Sequence, residues 1–109
     1  MLTGKTLNYV SLLNSLVKGW VAEYKFHPTR RWRADFANPT LKIIIEIEGG
    51  VFKGIGGGHN RGAGYRKDLE KYNAATILGY RLLRYLPEQM KSGKFVTDLM
   101  QILDSERMC

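Results

Sequence analysis

At 109 residues the chain has the length of one domain, with room for a modest core and none for a second. Its 44% hydrophobic and 25% charged composition is that of a soluble globular protein; no apolar run nears the ~20 residues that span a bilayer, and no signal-peptide apolar region opens the chain. The net charge of +7 points to a polyanionic partner, nucleic acid ahead of an acidic membrane surface, and the single cysteine, Cys109, excludes an intrachain disulfide and suits a reducing cytoplasm.

Between Lys5 and about Val21, the apolar residues Val10, Leu13, Val17 and Trp20, flanked by Leu12 and Leu16, recur at helical spacing. They predict a packing helix, started by Thr3 or Thr6 and weakened or ended at Gly19. From Glu23 the chain alternates through Tyr24 and Phe26, then breaks at Pro28, which cannot donate to a ladder. Thr29 to Phe36 resumes as a strand. Trp32, Ala34 and Phe36 take the core parity, and Arg31, Arg33 and Asp35 take the parity of a cleft. Asn38-Pro39-Thr40 is a turn signal, so the strand Leu41 to Glu48 pairs with the preceding one as an antiparallel hairpin.

Gly49 to Gly64 is a glycine-rich loop carrying Lys53, His59 and Arg61. It lacks the Lys-Ser/Thr ending of a Walker loop and the spacing of a dinucleotide fingerprint, so no nucleotide cofactor is expected. Two readings stand: a flexible linker, or a mobile loop that closes over a phosphate backbone. A helix follows from Tyr65 to about Leu78, with Gly79 as its C-terminal cap and Asp68, Lys71 and Ala75 on one face. Tyr80 to Leu86 is a strand ended by Pro87. The strand-helix-strand order makes it a crossover, parallel to the strand at 41–48. Lys94 to about Glu106, with Phe95, Leu99, Ile102 and Leu103 in phase, closes the chain as an amphipathic helix.

The chemistry concentrates in the two middle strands. Glu46 and Glu48 alternate with Ile43, Ile45 and Ile47, so both carboxylates share one face with their Cα atoms about 7 Å apart. Like charges that close repel, and a cation is expected between them. Together with Asp35 they offer the hard oxygen ligands that Mg²⁺ takes, with water and phosphate oxygens completing the shell. The alternative is a pair of acids on a solvent-facing sheet surface. Lys71 is the candidate to orient or activate water, with Lys53 and His59 behind it. Arg30, Arg31, Arg33, Arg61, Arg66 and Lys67, with Lys25, Lys53, His59 and Trp32 among them, form a candidate phosphate-contacting set, which gives affinity and salt dependence without sequence readout. His27 reads as structural, no Cys/His set has zinc spacing, and two histidines offer no Ser-His-Asp arrangement.

Asp35, a hairpin and Glu46-Ile47-Glu48 resemble the catalytic core of the PD-(D/E)XK nuclease superfamily, the restriction-endonuclease-like fold. The runs from Phe26 to Ala37, Glu46 to Gly50, His59 to Gly62 and Glu70 to Ala75 resemble its small bacteriophage and prophage nucleases, relatives of archaeal-type Holliday junction resolvases and very-short-patch repair endonucleases. The likeness covers about residues 24–86. It implies an α/β fold with an α-β-β-β-α-β core, a small mixed sheet flanked by helices. It also implies Asp35 and Glu46 as metal ligands with the backbone carbonyl of Ile47 as a third. Glu48 stands where the family's usual lysine belongs, as it does in some restriction enzymes, and members whose lysine has moved to the neighbouring helix draw attention to Lys71. The first helix lacks the family's frequent acid, which leaves room for a second subunit to contribute.

The expectation is therefore a Mg²⁺-dependent DNA endonuclease, with Mn²⁺ able to substitute, in which Asp35, Glu46, Glu48 and Lys71 are catalytic. With no separate sequence-reading module it should be structure-selective or weakly specific, most attractively a homodimeric branched-DNA resolvase of phage recombination or repair in the host cytoplasm. The alternative from another class is a non-catalytic nucleic-acid-binding domain derived from a nuclease. A third reading is an interaction module with acidic and basic faces.

Overall fold

The computed structural model describes residues 4–48 and 61–108. Helix α1 (Gly4–Leu16) leads into strands β1 (Val21–Lys25), β2 (Arg33–Asn38) and β3 (Ile43–Ile47). Helix α2 (Arg61–Ile77), strand β4 (Arg81–Tyr85), a short α3 (Pro87–Ser92) and α4 (Lys94–Met108) complete the chain. The sheet order is β1-β2-β3-β4, with the first two pairings antiparallel and β3-β4 parallel. This is the expected α/β fold with helix, three strands, helix and strand in that order. No described helix is long and apolar enough to cross a membrane.

Two apolar layers sandwich the sheet. Phe36, Ile43 and Ile45 face Leu13 of α1, Met90 of α3 and Phe95 and Leu99 of α4. Ala37 and Ile44 take the opposite parity and meet Ala75 of α2 and Tyr80, with Phe26 and Ala34 in the same cluster. The crossover helix α2 therefore covers the face onto which Asp35, Glu46 and Glu48 project.

The ends of several elements differ from expectation. Helix α1 stops at Leu16 rather than near Val21, because Asn14 turns the chain: its side-chain oxygen accepts the Trp20 N–H at 2.9 Å and its amide donates to the Trp20 carbonyl at 3.1 Å. Trp20 is buried as expected, but from the connection rather than from the helix. Gly19 lies at φ +110 with Asn38 side-chain atoms 3.0 Å from where a Cβ would stand, so its lack of a side chain is required there. Strand β2 starts at Arg33 rather than Thr29. The preceding turn is closed by His27 Nδ1, which accepts the Thr29 N–H at 3.2 Å and the Arg30 N–H at 3.0 Å, the structural role expected of His27. Helix α3 was not foreseen: Pro87 occupies the first helical position, where a missing N–H costs nothing, and the Gln89 side chain accepts the Leu86 N–H at 2.9 Å.

Candidate active site

The antiparallel register that sets Phe36 opposite Ile45 brings Asp35 beside Glu46, and the two residues bind each other's backbone neighbourhood. Glu46 Oε2 accepts the Asp35 N–H at 2.8 Å, and Asp35 Oδ2 accepts the Ile47 N–H at 2.7 Å. These bonds hold both carboxylates in one place without help from a turn or loop.

Glu46 is only 4% exposed, on a strand where Ile43, Ile44 and Ile45 are buried with it. The solvent-facing alternative for this acid is thereby excluded. Its burial is answered by Lys71, which donates from Nζ to Glu46 Oε1 as a partly buried ion pair. Lys71 reaches it because Ala75, one turn further along α2, packs on the sheet in the cluster that contains Ile44. Burial pushes the Glu46 carboxyl up from its ordinary 4.5 to about 7, against the opposing hydrogen bonds from Lys71 and the Asp35 amide. Asp35 adds a like charge that pushes the same way.

Glu48 lies one residue past β3, its N–H still laddered to the Tyr85 carbonyl at 2.7 Å. Its carboxylate does not share a cation with Glu46. Oε1 accepts from Arg84 Nε, and the Tyr72 hydroxyl lies 3.4 Å away. The Arg84 guanidinium sits 4.3 Å from the centre of the Tyr72 ring. Desolvation, with Glu48 and Glu46 next in weight, raises the Tyr72 phenol well above its ordinary value, so it stays protonated. The expected cation between the two acids is thus two cations, one for each.

The site residues expected from sequence divide accordingly. Asp35, Glu46 and Lys71 come together; Glu48 is adjacent but committed to Arg84 and Tyr72. Among the described residues no three His, Cys, Asp or Glu side chains gather as a set able to hold a metal. The donors that do converge, two carboxylates on neighbouring strands beside the Ile47 backbone, are of the hard oxygen type that suits Mg²⁺, and the ammonium on Glu46 marks a point where positive charge is already accommodated. Those donors fit such an ion by chemistry.

Of the basic set, Arg31, Arg33, Arg66 and Lys67 are exposed, and Arg30 stacks 4.1 Å from the Trp32 ring centre while pairing with Glu70 at 3.2 Å. Lys53 and His59 lie outside the described residues, and Arg61 is described only as the first residue of α2. Sequence reading missed Arg84 and Tyr72. With Leu82 and Leu83 both apolar, either parity of β4 could have faced α2, so only the register Glu46 to Arg84 reveals which arginine joins the acids. Compared with protein-family models, curated proteins and solved structures, the chain matches none.

Proposed function

We propose that the chain is a Mg²⁺-dependent DNA endonuclease acting on branched or otherwise structured DNA. The observation that carries the reading is buried Glu46 meeting Asp35 of the adjacent strand and Lys71 of α2 in a strongly basic domain. A carboxylate buried to 4% exposure beside a lysine is expensive for a mere scaffold and useful for binding charge. Asp35 and Glu46, with the Ile47 carbonyl, would hold the ion; a bound Mg²⁺ supplies Lewis-acid polarisation of a phosphodiester and balances developing negative charge.

The chain's own groups do the rest. The Asp35 N–H holds the Glu46 carboxylate and the Ile47 N–H holds that of Asp35, so no side-chain search precedes binding. Lys71, whose ammonium stands at Glu46 Oε1, would donate a hydrogen bond to the attacking water or to a phosphate oxygen. Exposed Arg31, Arg33, Arg66 and Lys67 supply sequence-independent backbone contacts. A homodimer would give the paired nicks that resolve a junction in recombination or repair, as the resemblance to phage nucleases suggests.

The second reading, a non-catalytic nucleic-acid-binding domain, is favoured by one observation: Glu46 and Glu48 each already have a private cation. A panel of hairpin, flap, four-way-junction and linear DNAs incubated with Mg²⁺ or Mn²⁺ separates the two. Cleavage of branched DNA with either metal supports the nuclease; salt-dependent binding with no cleavage at any pH supports the binder.

A further inference from the structure

We infer that Arg84 is a phosphate-binding residue of this site, held ready by Glu48 and Tyr72, and that it receives a nucleic-acid backbone phosphate beside Asp35 and Glu46. The inference rests on the nucleic-acid reading above and deepens it. It holds whether or not the chain cuts.

The parallel register pairs Glu46 directly with Arg84, so the two side chains leave the sheet on the same face. Arg84 is bound there at only part of its fork. Nε donates to Glu48 and the plane lies on the Tyr72 ring, while the side chain remains 49% exposed. Among the described residues, the terminal nitrogens Nη1 and Nη2 have no acceptor. A guanidinium fixed at one nitrogen and along one plane has lost most of its rotamer freedom before any ligand arrives, and its two outer N–H groups match adjacent phosphate oxygens.

Electrostatics gives the same assignment. A phosphate approaching Asp35 and Glu46 meets two carboxylates, of which only Glu46 is answered by Lys71. Arg84 is the neighbouring cation whose outer donors meet no acceptor among the described residues. A half-exposed ion pair with Glu48 adds little to stability by itself, so a purely structural purpose is a weak account of this arrangement. Glu48 is on this view a positioning residue for Arg84, which explains why an acid stands just past the end of β3.

The test is fluorescence anisotropy on a short duplex and a four-way junction in EDTA, so that binding is read without cleavage. Arg84→Gln, checked for folding by circular dichroism, is expected to bind about 10-fold more weakly. Its log K against log salt should be shallower by about 1. Arg84→Lys keeps the charge without the fork and should retain the slope while losing part of the affinity. Glu48→Ala gives the signature that a structural role cannot. It removes a charge that repels phosphate, yet should weaken binding when Arg84 is present and tighten it in the Arg84→Gln background. A folded Arg84→Gln protein with unchanged affinity and slope overturns the inference and leaves the nucleic-acid reading intact. Tightening by Glu48→Ala in both backgrounds overturns the positioning role. A wild-type protein that binds no DNA even at low salt defeats the nucleic-acid reading itself, and this inference with it.

Discussion

Glu46 is the residue on which the site turns, because it is the most deeply buried acid and the one most changed by burial. Its folded-state pKa of about 7 stands above its ordinary 4.5, so between those values the folded protein binds more protons than the unfolded chain. The stabilising contribution is fully present below pH 4.5 and is lost as pH rises through about 7, a swing of up to about 3 kcal/mol. Urea melts of metal-free protein should therefore show stability declining from pH 5 to pH 8, with the decline flattened in Glu46→Gln. An equal decline in that variant would assign the effect to another group. Lys71 is the second test at this scale. Lys71→Ala should leave the fold in place yet lower cleavage by about 100-fold or more, the usual range for a lost proton-handling group, read as single-turnover rates.

At the level of elements, the site depends on how closely α2 approaches β3. Ala75 is fully buried in the cluster that holds Ile44, and a larger side chain there lifts the helix that carries Lys71. Ala75→Leu should cost about 1–3 kcal/mol by overpacking and reduce cleavage beyond what the stability loss explains, as seen by comparing thermal melts with rates. Asn38 is the structural counterpart. Wholly buried, it donates to the Lys18 carbonyl at 3.0 Å and accepts the Leu41 N–H at 3.1 Å, tying the α1-β1 connection to the β2-β3 turn. Asn38→Ala leaves both groups unpaired and should destabilise by about 2–3 kcal/mol without moving Glu46. The alternation Ile43 to Glu48 made the acidic face legible in the sequence, the Asn38-Pro39-Thr40 turn made the hairpin so, and the strand-helix-strand order the parallel crossover. The end of α1 and the full role of Asn38 were not legible, because side-chain hydrogen bonds from Asn14 to Trp20 and from Asn38 to Lys18 set them rather than any apolar periodicity. Nor was Arg84, whose pairing with Glu48 depends on strand register rather than on any local pattern.

With a net charge of +7, binding to DNA should weaken linearly on a log-log plot as salt is raised, and nearly equally for unrelated sequences of the same shape. Among the described residues β1 and β4 are the sheet edges, and β1 is blunted by Glu23 at φ 53, which drops out of the ladder between Ala22 and Tyr24. On the proposed function Asp35, Glu46 and Lys71 form a metal-dependent phosphodiester-cleaving site. The most direct measurement is cleavage of a labelled four-way junction by purified wild-type and Glu46→Ala protein, each with Mg²⁺ and with EDTA. Wild type is expected to cut in Mg²⁺ alone and the variant not at all, while both bind the junction. Cutting that persists in EDTA, or that survives Glu46→Ala undiminished, would contradict the proposed function.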